Sequence, residues 1–149
     1  MSLDLLLVSP NTKKRVYQGL SHGLTAIEPP VWAGLMATFA RSRGYSVDIL
    51  DVEALEIGPD EAAARVAALR PRLTAVVVFG HQPSASTQTM PGAGALCTAL
   101  RRLAPDLPTL LVGGHVSALP ERTLQEEACD FVCQGEGPHT IAGLLEALG

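Results

Sequence analysis

The residues best suited to chemistry in this chain gather in four stretches, each following an apolar run. Ser9-Pro10-Asn11 leads into Lys13-Lys14-Arg15 and then His22-Gly23. Gly80-His81-Gln82 is followed by Ser84, Ser86, Thr87 and Gln88. Gly113-Gly114-His115 precedes Ser117, and Gly135-Glu136-Gly137 precedes His139. Hydroxyls, carboxamides and imidazoles bind by hydrogen bonds, and imidazole also ligates metals. Glycines at a strand end let a ligand approach the backbone, whose N–H groups can hold phosphate or amide oxygens. The competing role of the same glycines is a tight turn. On this reading the chain binds and positions, and no catalytic residue or metal ligand is assigned.

These stretches are positioned by an alternation of strands and helices. The apolar runs predict strands over Leu3–Val8, Ser46–Asp51, Leu73–Phe79, Thr109–Val112 and Asp130–Cys133. The run Ala75–Phe79 is unbroken, as expected of a strand covered on both faces. Helices are predicted from Pro29-Pro30 to Gly44, from Pro59 to about Arg70, from about Met90 to Leu103, over Pro120–Ala128 and from Pro138 to Leu148. In the first helix Val31, Trp32, Leu35, Met36 and Phe39 share helical spacing and are expected to face the core. Acids open the second helix and Arg70 closes it, in keeping with its dipole. Strands alternating with helices predict an α/β fold, a flavodoxin-like (Rossmann-like) doubly wound five-stranded parallel sheet in the order 2-1-3-4-5. In such sheets ligands bind beyond the carboxyl ends of the strands, where the winding reverses. All four polar stretches fall at that edge, whereas Arg70-Pro71-Arg72 and Ala104-Pro105-Asp106-Leu107-Pro108 at the other edge are ordinary turns. The long connection Ser9–Glu28 is the length at which loops tend to be functional.

Composition narrows the partners. A chain of 149 residues with 47% hydrophobic and 17% charged side chains fits one domain, residues 1–149, with a real core. A net charge of −4 argues against nucleic acid as a partner. No apolar run has the length of a membrane span, and the apolar stretch Leu5–Val8 is too short for a signal peptide. The 3 cysteines form no framework, which fits a reduced, cytoplasmic protein. Cys129 and Cys133, at opposite ends of a strand, would stand about 13 Å apart. Two sulfurs at that separation cannot share a zinc ion. All the cysteines are expected to be small buried hydrophobes.

Familiar ligands of this fold meet missing motifs. A dinucleotide site needs Gly-x-Gly-x-x-Gly directly after the first strand, where Ser9-Pro10-Asn11 stands. A P-loop is absent too. Asp4 is the only acid near the first strand, which leaves no acidic pair for magnesium. Flavin mononucleotide would need a phosphate loop bridging the first strand to its helix, and the long basic connection here is no clear match.

The chain resembles the N-terminal cobalamin (B12)-binding domain of B12-dependent radical SAM enzymes. The residues that carry the resemblance are Ile27-Glu28-Pro29-Pro30-Val31-Trp32-Ala33-Gly34-Leu35, Gly44 through Asp51, Gly113 through Glu121, and Asp130 through Gly137. The resemblance implies that cobalamin lies on the carboxyl edge of the sheet, its nucleotide tail between the sheet and the loops after strands 3, 4 and 5. The corrin would face a radical SAM barrel, in cis or in trans. It implies cofactor contacts from Ser9, Pro10, Gly80, His81, Gln82, Ser84, Ser86, Gly113, Gly114, His115, Gly135, Glu136 and Gly137. The parent enzyme, a methyltransferase or cyclase, would also use S-adenosylmethionine and a 4Fe–4S cluster, neither bound by this chain. The Asp-x-His-x-x-Gly motif that supplies a cobalt-ligating histidine in methionine-synthase-like domains is absent, because Leu20 stands two residues before His22. The Cys-x-x-x-Cys-x-x-Cys of the radical SAM barrel is also missing, so the chain is expected to be part of a longer enzyme or to work with a separate catalytic partner.

Individual residues have competing roles. His22, His81 and His115 could approach cobalt or a corrin amide, or bond only to backbone and solvent. Ser84, Ser86 and Thr87 could hold the tail or cap the third helix. Glu136 could meet a ribose or the barrel, or sit in a solvated turn. Lys13, Lys14 and Arg15 could meet a phosphate or simply be solvated. Trp32 is expected in the core, packing its helix on the sheet. Two alternatives stay open: a degenerate docking domain that has lost the cofactor, and a flavodoxin-like binder of another nucleotide.

Overall fold

The computed structural model describes residues 2–11, 27–80 and 85–149. In chain order the elements are β1 (Leu5–Ser9), α1 (Val31–Ser42), β2 (Val47–Asp51), α2 (Pro59–Leu69), β3 (Leu73–Val78), α3 (Ala85–Leu103), β4 (Thr109–Gly113), α4 (Gly114–Ala118), α5 (Pro120–Glu126), β5 (Phe131–Val132) and α6 (Gly137–Ala147). The strands form one 5-stranded sheet in the order β2-β1-β3-β4-β5, all pairs parallel. Fold class and strand order agree with the sequence reading.

The central strands are buried on both faces, and alternate side chains feed two cores. Leu6 and Val8 point to the side covered by α2 and α3, and Leu5 and Leu7 to the side covered by α1 and α6. At the amino-terminal edge, Asp4 locks β1 to its neighbours. Its carboxylate accepts from the Ser46 N–H at 2.8 Å and pairs with Arg72 at 2.6 Å. These partners, the Ser46 N–H first and Arg72 next, hold the Asp4 carboxyl below its ordinary value.

Four expectations are corrected. The buried stripe of α1 is Ala33, Met36, Ala37 and Ala40, not the larger residues between them. Val31 is 61% exposed, Trp32 48% and Leu35 56%, so Trp32 is not core. Both stripes obey a helical period, and the small one wins because alanines let the helix axis lie close to the sheet. Second, α3 begins at Ala85, so Pro91 lies inside it rather than in its first turn. A proline there cannot donate to the preceding turn. The buried Ser86 hydroxyl ties the first turn down instead, donating to the Val78 carbonyl and accepting from the His115 N–H. Third, Gly114–Ala118 winds into a short helix where a loop was expected. Fourth, β1 begins at Leu5 and β5 keeps only Phe131–Val132 in the ladder, although Asp130 and Cys133 still donate to Thr109 and Leu111 of β4.

Candidate functional site

The winding reverses between β1 and β3, which pair through Leu5↔Leu73 to Val8↔Val76. Beyond their carboxyl ends lies a cleft of about 290 Å³. Its floor is Ser9, Pro10, Val77, Phe79 and Gly80, and its walls come from the start of α1 and the first turns of α3. The α1 wall is largely apolar: Pro29, Pro30, Val31, Trp32 and Ala33. The α3 wall is polar, with Gln88 and Thr89, and Glu28 and Glu53 add carboxylates. The Trp32 indole stacks on the Phe79 ring, with centroids 4.8 Å apart and planes 22° apart. A second hollow of about 170 Å³ lies between Asn11, Gly58 and Leu96 on the α2–α3 side.

The other polar stretches adjoin this cleft along the same edge. Gly113 ends β4 in register with Val78 of β3. A Cβ on Gly113 would stand 2.1 Å from the Val78 carbonyl oxygen, so this glycine serves the approach of two strands. Gly80 is likewise needed against Ala85, whose Cβ would be 2.2 Å away. His115 shares a 3.0 Å hydrogen bond with the Thr87 hydroxyl, on the α3 side of the edge. Behind it the Glu127 carboxylate rests on Gly94. Burial first, and then Glu126, raises the Glu127 carboxyl above its ordinary value, while His115 opposes the rise. Ser117 joins the loops after β4 and β5 by accepting from the Gly135 N–H at 2.9 Å. Gly135 has φ +91° with open space around it, and Glu136 is exposed. Gly137 is buried, and a Cβ there would meet Val112 at 2.9 Å and Met36 at 3.0 Å. Side chains therefore fill the space below the ends of β4 and β5, while the cleft over β1 and β3 stays open.

Known proteins share this architecture. The chain overlays on the radical S-adenosylmethionine methyltransferase TsrM from Kitasatospora setae, in a structure with cobalamin and a 4Fe–4S cluster bound. The TM-score is 0.76 at 21% identity, over 99% of this chain and 25% of that one. A second TsrM structure, with tryptophan and a SAM analogue, gives 0.73 at 21% identity, over 99% of this chain and 26% of that one. A pilus assembly-related protein from Burkholderia pseudomallei scores 0.57 at 15% identity, over 98% of this chain and 89% of that one. No curated protein matches the chain. A family model described as a B12 binding domain matches residues 21–145.

The chain belongs to the B12-binding domain family.

It spans about a quarter of the length of the two methyltransferase structures. The cleft at the switch point of its sheet is amphipathic. That cleft suits part of the cofactor: its volume is at the small end for ligand pockets, and cobalamin is far larger than a drug-sized ligand. Of the residues singled out from sequence, Ser9, Pro10 and Gly80 line the cleft. Ser86, Gly113, Gly114, His115, Gly135, Glu136 and Gly137 lie along the same edge without lining it. His81, Gln82 and Ser84 lie outside the described residues, as do His22, Lys13, Lys14 and Arg15. Among the described residues no histidine lines the cleft: His115 bonds to Thr87, and His139 packs edge-on against Phe39 at 5.0 Å. No cluster of His, Cys, Asp or Glu suited to a metal ion occurs among the described residues. All 3 cysteines are buried and free. No helix among the described residues is long and apolar enough to cross a membrane.

Sequence reasoning missed the α1 wall. Helical spacing alone places Val31 and Trp32 on a core-facing stripe that opens at Pro29-Pro30. The proline pair ahead of Val31-Trp32 was the available signal, because it fixes where the helix begins and so which residues overhang the strand ends.

Proposed function

We propose that this chain is the cobalamin-holding module of a radical SAM enzyme of methyltransferase or cyclase type. It seats the nucleotide tail at the carboxyl edge of the sheet, without a histidine from a His-on motif. The observation that carries the reading is the open cleft at the β1/β3 reversal in a chain of the B12-binding family. Bound cobalamin would supply methyl transfer or tune radical chemistry, which the polypeptide lacks. The chain's own residues bind and orient. Ser9 and Gln88 offer hydrogen bonds at the floor and one wall of the cleft, and the apolar α1 wall excludes water. The half-buried Gly114 and the exposed Gly135 and Glu136 form the rim that meets the corrin amides. His81, Gln82 and Ser84, which follow β3, belong to the same proposed contact set. S-adenosylmethionine and the 4Fe–4S cluster would be held by a radical SAM barrel, in the same or another polypeptide.

The test is retention. The purified chain is mixed with hydroxocobalamin, desalted and examined by visible absorbance. Near-stoichiometric corrin absorbance is expected in the protein fraction. A second reading, a docking domain that has lost the cofactor, is favoured by the exposed apolar residues Ile27, Val31 and Leu35 on and before α1. Absence of retained corrin, with the chain folded, would select it.

A further inference from the structure

We infer that the outer face of α1 is a contact surface for a second copy of this chain, the two helices pairing antiparallel about a two-fold axis at Gly34 and Leu35. The inference is independent of the cobalamin reading and gives the exposed apolar residues of α1 an occupant.

A surface helix ordinarily carries charge on the face it turns away from the core. From Val31 to Ala40, α1 carries none. Val31 and Leu35 stand exposed there, one turn apart. The hydroxyls of this face are bonded within the helix. Thr38 donates to the Gly34 carbonyl at 2.9 Å, and Ser42 donates to the Phe39 carbonyl at 2.7 Å. Such a face can be dried without stranding a polar group. Nothing inside the chain requires a glycine at position 34, since a Cβ there would meet no atom within 4 Å. A glycine inside a helix costs stability relative to alanine. A gap beside an exposed leucine is the relief that lets a second helix approach closely, ridge into groove.

The two ends of the helix decide the occupant. Glu28, which is exposed, precedes α1. Arg43, also exposed, follows it and lies over the Phe39 ring, 5.1 Å from the centroid. The face is thus acidic at its start, apolar along its length and basic at its end. Its complement is the same face run backwards. In that pairing Leu35 of one copy lies over Gly34 of the other, Val31 lies beside Thr38, and Glu28 approaches Arg43. The helix dipoles oppose each other, and the two-fold axis makes every contact twice. The 12 residues of α1 span about 18 Å. One helix pair of that length buries less than the roughly 800 Å² per partner of a standard interface, so the dimer is a reversible one.

Sedimentation velocity of the purified chain at rising concentration tests this, with circular dichroism melts of dilute samples verifying folding. The unaltered chain is expected to pass reversibly from monomer to dimer through the micromolar range. Leu35→Glu should raise the dissociation constant about tenfold or more, the effect of losing a central contact. Gly34→Gln should do the same while melting no lower than the unaltered chain, because the added side chain meets open space in the monomer and fills the gap only in the dimer. Glu28→Arg and Arg43→Glu should each weaken the dimer, and the two together should restore it. Should Leu35→Glu misfold, Gly34→Gln carries the test. A chain that stays monomeric at every concentration overturns the inference and leaves the face to a different protein. A dimer that both Leu35→Glu and Gly34→Gln leave intact also overturns it, because the contact then lies elsewhere.

Discussion

Gly113→Ala separates the two jobs a strand-end glycine can have. If Gly113 serves a ligand, alanine there weakens binding and leaves the fold alone. The structure assigns the other job. An alanine Cβ would stand 2.1 Å from the Val78 carbonyl oxygen, 2.8 Å from its carbon and 3.0 Å from the Val78 Cβ. Two of these neighbours are backbone, so no side chain can swing aside. Ordinary contact needs the strands to part by more than about 1 Å, and the ends of β3 and β4 must give way. That movement strains the Val78↔Gly113 step of the ladder. It also loosens the Ser86 bridge, whose hydroxyl joins the Val78 carbonyl to the His115 N–H. Overpacking of a tight site costs about 1–3 kcal/mol. Each weakened internal hydrogen bond adds about 1 kcal/mol. The expected loss is about 3 kcal/mol, a large share of the stability of an ordinary domain.

Urea denaturation followed by circular dichroism measures it. With a slope of about 2 kcal/mol per molar, the midpoint falls by roughly 1.5 M. Gly135→Ala is the control. Gly135 has nothing within 4 Å of a Cβ, and only its φ of +91° opposes a side chain. Its cost is about 1 kcal/mol. A Gly113→Ala midpoint close to that of the unaltered chain, or a larger loss at Gly135 than at Gly113, refutes the packing argument.

Three further outcomes are expected. Asp4→Asn should cost about 1–2 kcal/mol in a urea titration at pH 7, since charged hydrogen bonds to Ser46 and Arg72 are lost. Because the folded carboxyl lies below the ordinary value of 3.8, its contribution is complete above that pH and fades as pH falls through the lowered value. The unaltered chain and the variant should therefore converge in acid. Val31→Ser with Leu35→Ser should shift thermal stability by no more than about 0.5 kcal/mol, whereas Ala37→Leu should cost about 2 kcal/mol by overpacking. A large loss from the serine pair would return those residues to the core. The cysteines should be silent to a thiol reagent at pH 8 until the chain is unfolded. Burial pushes the Cys97 thiol up strongly and Cys129 to about 11, and Cys133 is 1% exposed. Rapid labelling of the native chain would contradict this.

The sheet was legible because its strands are apolar runs of the right length between turn signals, and because βαβ connections leave few orders open. Element edges were less so. The pattern predicts a helix from about Met90, and only the tertiary bridge through Ser86 shows why α3 begins at Ala85. Gly114–Ala118 carries too few residues to show a period, so its short helix was hidden. The buried cysteines were legible from their apolar neighbours and lack of metal-ligand spacing.

The site divides along the same line. Its rim was visible from sequence because polar loops at one sheet edge follow from topology alone. Its walls were not. In α1, large and small apolar residues both repeat with helical period, and period carries no information about how near the helix lies to the sheet. Distance decides: with alanines inward, Val31, Trp32 and Leu35 are turned out, and Trp32 overhangs Phe79 at the cleft. The same logic reverses the meaning of Gly113, which looked like an opening for a ligand and is instead filled by the backbone of β3. At β4 and β5 Gly113 and Gly137 are closed in by Val78, Val112 and Met36, while Trp32 and Phe79 border the open cleft at β1 and β3.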